Sequence, residues 1–82
     1  MEAVIRSLSS EAGERIDEVF GVEWRVGRNM FFEDGVKMYD VAVNLSYVTI
    51  KTDEDADGVW LCRGYDTIFR IDPTEYLAII IR

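Results

Sequence analysis

The stretch MFFEDGVKMY, residues 30–39, determines the fold class because it places a tight turn between two apolar segments. Asp34 and Gly35 tolerate the positive φ angles that a two-residue hairpin turn requires. The flanking segments, Met30–Phe32 and Val36–Tyr39, contain aromatic and branched residues that are typical of strands. The stretch therefore predicts an antiparallel β-hairpin.

The residues on both sides of this hairpin continue the strand pattern. After Gly21, apolar residues alternate with charged ones, which predicts a half-buried strand. The apolar positions are Val22, Trp24 and Val26. Beyond the hairpin, apolar residues alternate from Val41 to Tyr47 and then change parity at Val48 and Ile50. This change predicts a bulge or a strongly bent strand near Ser46.

The C-terminal third of the chain supplies further strands. Val59–Tyr65 and Thr67–Ile71 are apolar segments separated by polar residues and a glycine. Asp72–Glu75, with its proline, predicts a turn, although a cap at Asp72 also suits the start of a helix. Because Leu77–Ile81 contains three consecutive isoleucines, we expect a strand there after a short helical turn.

The N-terminal segment has apolar residues at intervals of three and four, as one face of a helix does. These residues are Ile5, Leu8, Ala12, Ile16, Val19 and Phe20. We expect one helix over about residues 3–20, ended by Gly21. The alternative is a strand over residues 2–8 and a helix that begins after a Ser10 cap. The predicted fold is α+β: a single domain, 1–82, whose N-terminal helix packs on an antiparallel sheet of about five strands within a β-rich region, 22–82.

The composition argues against several function classes. Sixteen Asp and Glu against nine Lys and Arg give the 82 residues a net charge of −7, and the bases are scattered along the chain. We therefore expect no direct binding of nucleic acid. The chain has no histidine, the usual proton carrier near neutral pH, so we expect no enzyme and no cofactor. The one cysteine, Cys62, lies among apolar residues and is expected in the core.

Cysteine content and apolar segments also indicate a compartment. One cysteine can build neither a disulfide framework nor a structural zinc site, which favours a reducing environment. The longest apolar run, Leu77–Ile81, is far too short to cross a bilayer. We expect a cytoplasmic protein without a membrane role.

The predicted helix carries the first group of candidate binding residues. Its acidic residues fall on the arc opposite the apolar face, with Arg15 as the only base among them. These acids are Glu11, Glu14, Asp17 and Glu18. An aromatic candidate is Phe31, because adjacent strand residues point to opposite faces. If cover is missing on one face, Phe31, Phe32 or Tyr39 becomes a binding anchor.

The loop Asp53–Gly58 is the second acidic group. Its carboxylates, Asp53, Glu54, Asp55 and Asp57, followed by a glycine, match the first half of an EF-hand calcium loop. Such a loop needs a bidentate glutamate at its twelfth position, where this chain has Gly64. It also needs a helix at each end, where this chain is predicted to form strands. We therefore assign no metal site, and count these residues among the candidate partner-binding acids.

Together these patterns predict a small acidic protein that binds a protein partner with a basic surface. The sharper hypothesis is an inhibitor that occupies a nucleic-acid-binding channel, since phage inhibitors of restriction and CRISPR effectors (anti-CRISPR proteins) often have this size and charge. The alternatives are weak calcium binding through the Asp53–Asp57 loop, or an accessory subunit whose acids only confer solubility. A homodimer through the C-terminal strand is also expected, because exposed apolar edges associate.

Overall fold

A computed structural model describes residues 1–52 and 57–82, and there the chain forms one α-helix and seven strands. The elements are β1 (Ala3–Ser9), α1 (Ser10–Phe20), a 3-10 turn (Val22–Trp24), β2 (Arg25–Glu33), β3 (Val36–Val43), β4 (Thr49–Thr52), β5 (Val59–Arg63), β6 (Thr67–Ile71) and β7 (Ala78–Ile81). The predicted α+β class, with a helix near the N-terminus and antiparallel strands, is confirmed.

The strands form two sheets. The first has the order β2-β3-β1-β7 and the second the order β4-β5-β6. Every neighbouring pair is antiparallel. Compared with the expected single sheet of about five strands, the described residues divide seven strands between two sheets.

The predicted helix over residues 3–20 was wrong for its first part, because residues 3–9 form β1 at the centre of the first sheet. The register explains the error. Ile5 pairs with Val41 and Leu8 with Tyr39, so β1 has one more residue than β3 between these pairs. This bulge, at which Ser7 has a φ of 53°, puts Ile5 and Leu8 on the same face at a spacing of three.

The helix itself begins close to where the alternative interpretation placed it. The Ser9 side chain, rather than that of Ser10, caps α1 by accepting a hydrogen bond of 3.1 Å from the Ala12 N–H. Gly21 follows the helix with a φ of 76°, and its N–H donates to the Asp17 carbonyl. The predicted glycine stop is confirmed.

The predicted hairpin is confirmed at Asp34 and Gly35, whose φ angles are 50° and 78°. The strand expected from Val22 is corrected, because Val22–Trp24 forms a 3-10 turn and β2 begins at Arg25. The turn buries Trp24 completely but leaves Val22 and Val26 exposed. A register shift between Arg25 and Gly27 places a bulge at Val26 on this edge strand.

The parity change near Ser46 marks the passage between the two sheets. The Asn44 carbonyl accepts hydrogen bonds from the N–H groups of Tyr47 and Val48, which closes a turn between β3 and β4. The expected bulged strand is therefore two strands joined by this turn. The buried Val48 follows this turn and the half-buried Ile50 lies in β4, so the alternation of β3 does not continue past Ser46.

One hydrophobic core lies between the first sheet, α1 and the second sheet. Its largest fully buried side chains are Trp24, Ile5, Leu8, Ile16, Leu61, Ile71, Val41 and Val48. Cys62 is buried in β5 with a free thiol, as expected. The core fixes α1 against the sheet, so the opposite face of α1 points to solvent.

Candidate protein-binding surface

The exposed face of α1 carries three of the predicted binding residues. Glu11, Glu14 and Glu18 are all exposed. At 3.6 residues per turn they share an arc of roughly 60° and span about 10 Å along the helix axis. This arc lies opposite the buried Ala12 and Ile16. We call these three residues the α1 acidic stripe.

Asp17 does not belong to this stripe, which corrects the prediction that it lies on the solvent-facing arc. Its position is about 60° further round the helix from Glu14, beside the buried face. The carboxylate accepts hydrogen bonds from the Trp24 indole N–H at 2.6 Å and from two Arg25 nitrogens at 3.1 Å each. Arg28 lies 3.9 Å away. Asp17 therefore ties α1 to the start of β2.

These contacts also determine the ionisation of Asp17. Burial by itself would raise its pKa, but the hydrogen bonds from Arg25 and Trp24 and the positive charges of Arg25 and Arg28 outweigh burial. The pKa of Asp17 consequently lies below its ordinary value of 3.8. The side chain is a structural anion at neutral pH.

Arginines are largely committed to such pairs within the chain. Six of the seven lie within 4.0 Å of a carboxylate, namely Arg6, Arg15, Arg25, Arg28, Arg70 and Arg82. The seventh, Arg63, stacks on the Tyr47 ring at 3.9 Å and donates to its hydroxyl. Because these arginines offset the charge of the carboxylates that they contact, the excess negative charge of the chain lies on acids outside these ion pairs.

The stripe itself retains most of its charge. Arg15 contacts Glu11 at 3.4 Å, but it also pairs with Glu75, and Glu11 remains 85% exposed. Within residues 1–52 and 57–82, Glu14 and Glu18 have no ion pair. An exposed arc of carboxylates on a rigid helix can attract lysines and arginines of a partner.

The aromatic candidate is corrected by one residue. Phe31 is half-buried and Tyr39 is buried, whereas Phe32 is 64% exposed. Met30 and Val36, on the same hairpin, are also more than half exposed. The two adjacent phenylalanines were visible in the sequence, but which of them is exposed depends on the register of β2 with β3, where Phe31 pairs with Met38 and Phe32 with Lys37.

The second acidic group falls partly outside the described residues, which include neither Asp53, Glu54 nor Asp55. Asp57 is described and exposed, and its backbone carbonyl accepts a hydrogen bond from Arg70. Across the part of the chain that the structure describes, no three Asp, Glu, Cys or His side chains come together as a metal site.

The C-terminal strand lies where pairing with a second chain is possible. β7 forms one edge of the first sheet, and among the described strands it pairs with β1 alone.

In the described residues, no helix has the length and apolar character needed to cross a membrane.

Comparisons with protein-family models, with curated proteins and with solved structures gave no match. A function for this chain therefore rests on its own residues.

Proposed function

We propose that this chain is an acidic protein-binding protein that docks on a basic surface of another protein through the α1 acidic stripe. The observation that carries the proposal is the separation of its charges. Within residues 1–52 and 57–82, six carboxylates lie within 4.0 Å of six arginines, and Glu11 is the only member of the stripe among them. The net charge of −7 thus falls on the remaining ten acids and three bases. Such an imbalance draws in basic surfaces and repels phosphate.

Geometry supports α1 as the centre of this surface. The stripe places three carboxylates within about 10 Å on one rigid element. One DNA strand rises roughly 3.4 Å per phosphate along the duplex axis while its phosphates wind around that axis, whereas the stripe follows one side of α1. The stripe therefore offers three carboxylates to lysines and arginines of a partner without reproducing the geometry of a nucleic acid strand.

The sharper form of the proposal is inhibition of a nucleic-acid-binding protein. A basic channel that holds phosphates also attracts this stripe, and occupation of the channel would exclude the nucleic acid. Inhibitors that phages direct against restriction and CRISPR nucleases illustrate this mode of action. Exposed Phe32 and Met30 supply apolar area for a contact beyond electrostatics.

The test uses two variants with the same change in charge. E14Q/E18Q removes the two unpaired acids of the stripe, and E23Q/D66N removes two exposed acids elsewhere that form no ion pair in the described residues, so that both change the net charge from −7 to −5. Tagged wild-type protein captures partners from host lysate at low salt, and the captured protein is then produced pure. Its affinity for the wild type and for both variants is measured across a salt series.

The proposal predicts that the stripe variant binds much more weakly than the control and with a smaller dependence on salt. The inhibitor form predicts in addition that wild-type protein displaces duplex DNA or RNA from the partner. Equal binding by both variants would contradict a role for α1. Binding that depends on the stripe without displacement of nucleic acid would contradict the inhibitor form alone.

A further inference from the structure

A groove separates the β2–β3 hairpin from residues 72–77 and has a volume of about 390 Å³. It lies on the face of the first sheet that points away from the core, since its Met38 alternates with the buried Tyr39 along β3. The hairpin supplies one wall, and Thr74, Tyr76 and Leu77 supply the other. Neither wall contains a residue of the α1 acidic stripe.

The groove has apolar residues on both walls and carboxylates at the end formed by the hairpin turn. Val36, Met38, Tyr76 and Leu77 provide apolar surface, and Val36 and Leu77 are more than half exposed. Glu33 and Asp34 provide two carboxylates from the hairpin turn. Apolar surface beside carboxylates is complementary to a side chain that has an aliphatic stem and a cationic end.

Hydrogen bonds hold the second wall in place. Asp72 accepts from the N–H and the hydroxyl of Thr74 at 3.1 and 2.9 Å, and the Glu75 carboxylate accepts from the Asp72 N–H. The hydrogen bonds from Thr74, followed by the ion pair with Arg70, lower the pKa of Asp72 despite its desolvation. The Ser9 N–H donates to the Glu75 carbonyl, which joins this turn to β1. The groove is therefore preorganised, which reduces the entropy lost on binding.

The basic residues near the groove are engaged elsewhere. Lys37 pairs across the hairpin with Phe32 and lies 5.6 Å from the Tyr39 ring centroid, on the core-facing side. Arg6 contacts Asp40 at 3.3 Å. In the described parts of the chain, neither Glu33 nor Asp34 forms an ion pair.

We infer that this groove binds an arginine or lysine side chain of the protein partner, with the aliphatic stem between the apolar walls and the charged group at Glu33 and Asp34. This inference rests on the proposed function, because it names a second contact with the same basic partner. The groove is open to solvent, and its volume of about 390 Å³ has room for one large side chain lying along it. The groove gives the partner surface a specific anchor that the stripe, as a set of exposed charges, lacks.

The test uses three short peptides as probes: acetyl-Gly-Arg-Gly-amide, and the same peptide with norleucine or glutamate in the central position. Each is titrated into the ¹⁵N-labelled protein and followed by NMR. We expect the arginine peptide to shift amide signals of Ser7, Asp34, Val36, Thr74 and Leu77. The norleucine peptide binds more weakly, and the glutamate peptide does not bind.

Two variants locate the contact. E33Q/D34N keeps the turn, because Asn-Gly also adopts the required φ angles, and it lowers the affinity for the arginine peptide about five-fold. E23Q/D66N makes the same change in charge at two exposed acids outside both the groove and the α1 acidic stripe, and leaves that affinity within about two-fold. Leu77 is 77% exposed, so L77S removes apolar contact without loss of the fold and weakens the arginine and norleucine peptides together.

Equal binding of the arginine and norleucine peptides, shifts confined to α1, or no shift around the groove would overturn the inference. These outcomes leave the proposed function intact if partner capture still depends on the stripe. Conversely, peptide binding in the groove with stripe-independent capture would contradict the proposed function of α1 alone. The two proposals therefore fail separately.

Discussion

Replacing Asp17 with alanine should destabilise the fold more than removal of any exposed acid. The Asp17 carboxylate is the acceptor for the indole N–H of Trp24, a side chain with no exposed surface. It also receives two hydrogen bonds from Arg25, whose side chain is only 18% exposed. The substitution leaves the indole N–H and part of the guanidinium without an acceptor.

The size of the effect follows from these contacts. A hydrogen bond to a charged group contributes about 1.5–3 kcal/mol, and an unsatisfied buried donor costs about 1–3 kcal/mol. Because Arg25 regains some hydration from solvent, we expect D17A to lower the free energy of unfolding by about 3 kcal/mol in total. For a chain of this length that corresponds to a fall in Tm of roughly 12–24 °C. D17N keeps one oxygen for the indole and should lose about 1 kcal/mol.

Urea unfolding at neutral pH, followed by tryptophan fluorescence and circular dichroism, measures these differences. The matched control is E18A, an adjacent exposed acid expected to lie within about 0.5 kcal/mol of wild type. A double-mutant cycle with W24F, which removes the indole donor, should give a coupling with Asp17 of about 1 kcal/mol or more. If D17A and E18A were equally stable, or the coupling were zero, Asp17 would not be the structural anion described above.

The same residue predicts a dependence on pH. The folded pKa of Asp17 lies below its ordinary value of 3.8, so deprotonation favours the folded state. This stabilisation is fully present above 3.8 and is lost as the pH falls through that value towards the folded pKa. The difference in stability between wild type and D17N should therefore be largest near neutral pH and shrink below 3.8. A difference that grows on acidification would contradict the assignment.

Three further substitutions test the local structure. S9A should cost about 1 kcal/mol by removing the α1 cap, whereas S10A should be close to neutral; urea unfolding of both variants distinguishes the two cap positions. G58A should lower the free energy of unfolding by about 2 kcal/mol or more, because Gly58 has a φ of 102° and the added methyl would lie 2.6 Å from a backbone oxygen of β6. G27A is the control, since a methyl at Gly27 meets open space, and the same measurement should find it neutral or stabilising. If β7 forms a homodimer, sedimentation should give twice the 9.5 kDa chain mass, and I81P, which removes an N–H at the free edge, should return it to the monomer mass.

Local chemistry made parts of the fold predictable. The Asp34-Gly35 hairpin and the glycine stop after α1 depend on backbone preferences of a few neighbouring residues, which the sequence displays directly. The α1 acidic stripe was predictable for a similar reason, since helical periodicity places Glu11, Glu14 and Glu18 on one arc.

Long-range pairing explains what the sequence alone did not reveal. Ile5 and Leu8 have helical spacing only because a bulge adds one residue to β1, and the bulge depends on the register with β3. Likewise, the sequence does not distinguish Asp17 from an exposed acid, because the role of Asp17 depends on its contacts with Trp24 and Arg25 in the following turn and strand. Neither partner is marked by a motif.

The division between paired and exposed acids gives stability and binding different sets of residues. Asp17 joins α1 to β2, and Glu75 joins the groove wall to Arg15 of α1, so removal of either carboxylate would disturb the fold. Glu14 and Glu18 have no ion pair in the described residues and face solvent. A substitution at Glu14 or Glu18 that weakens partner capture without changing the unfolding curve therefore reports on binding alone. The net charge by itself could not have made this distinction, because it counts both sets equally.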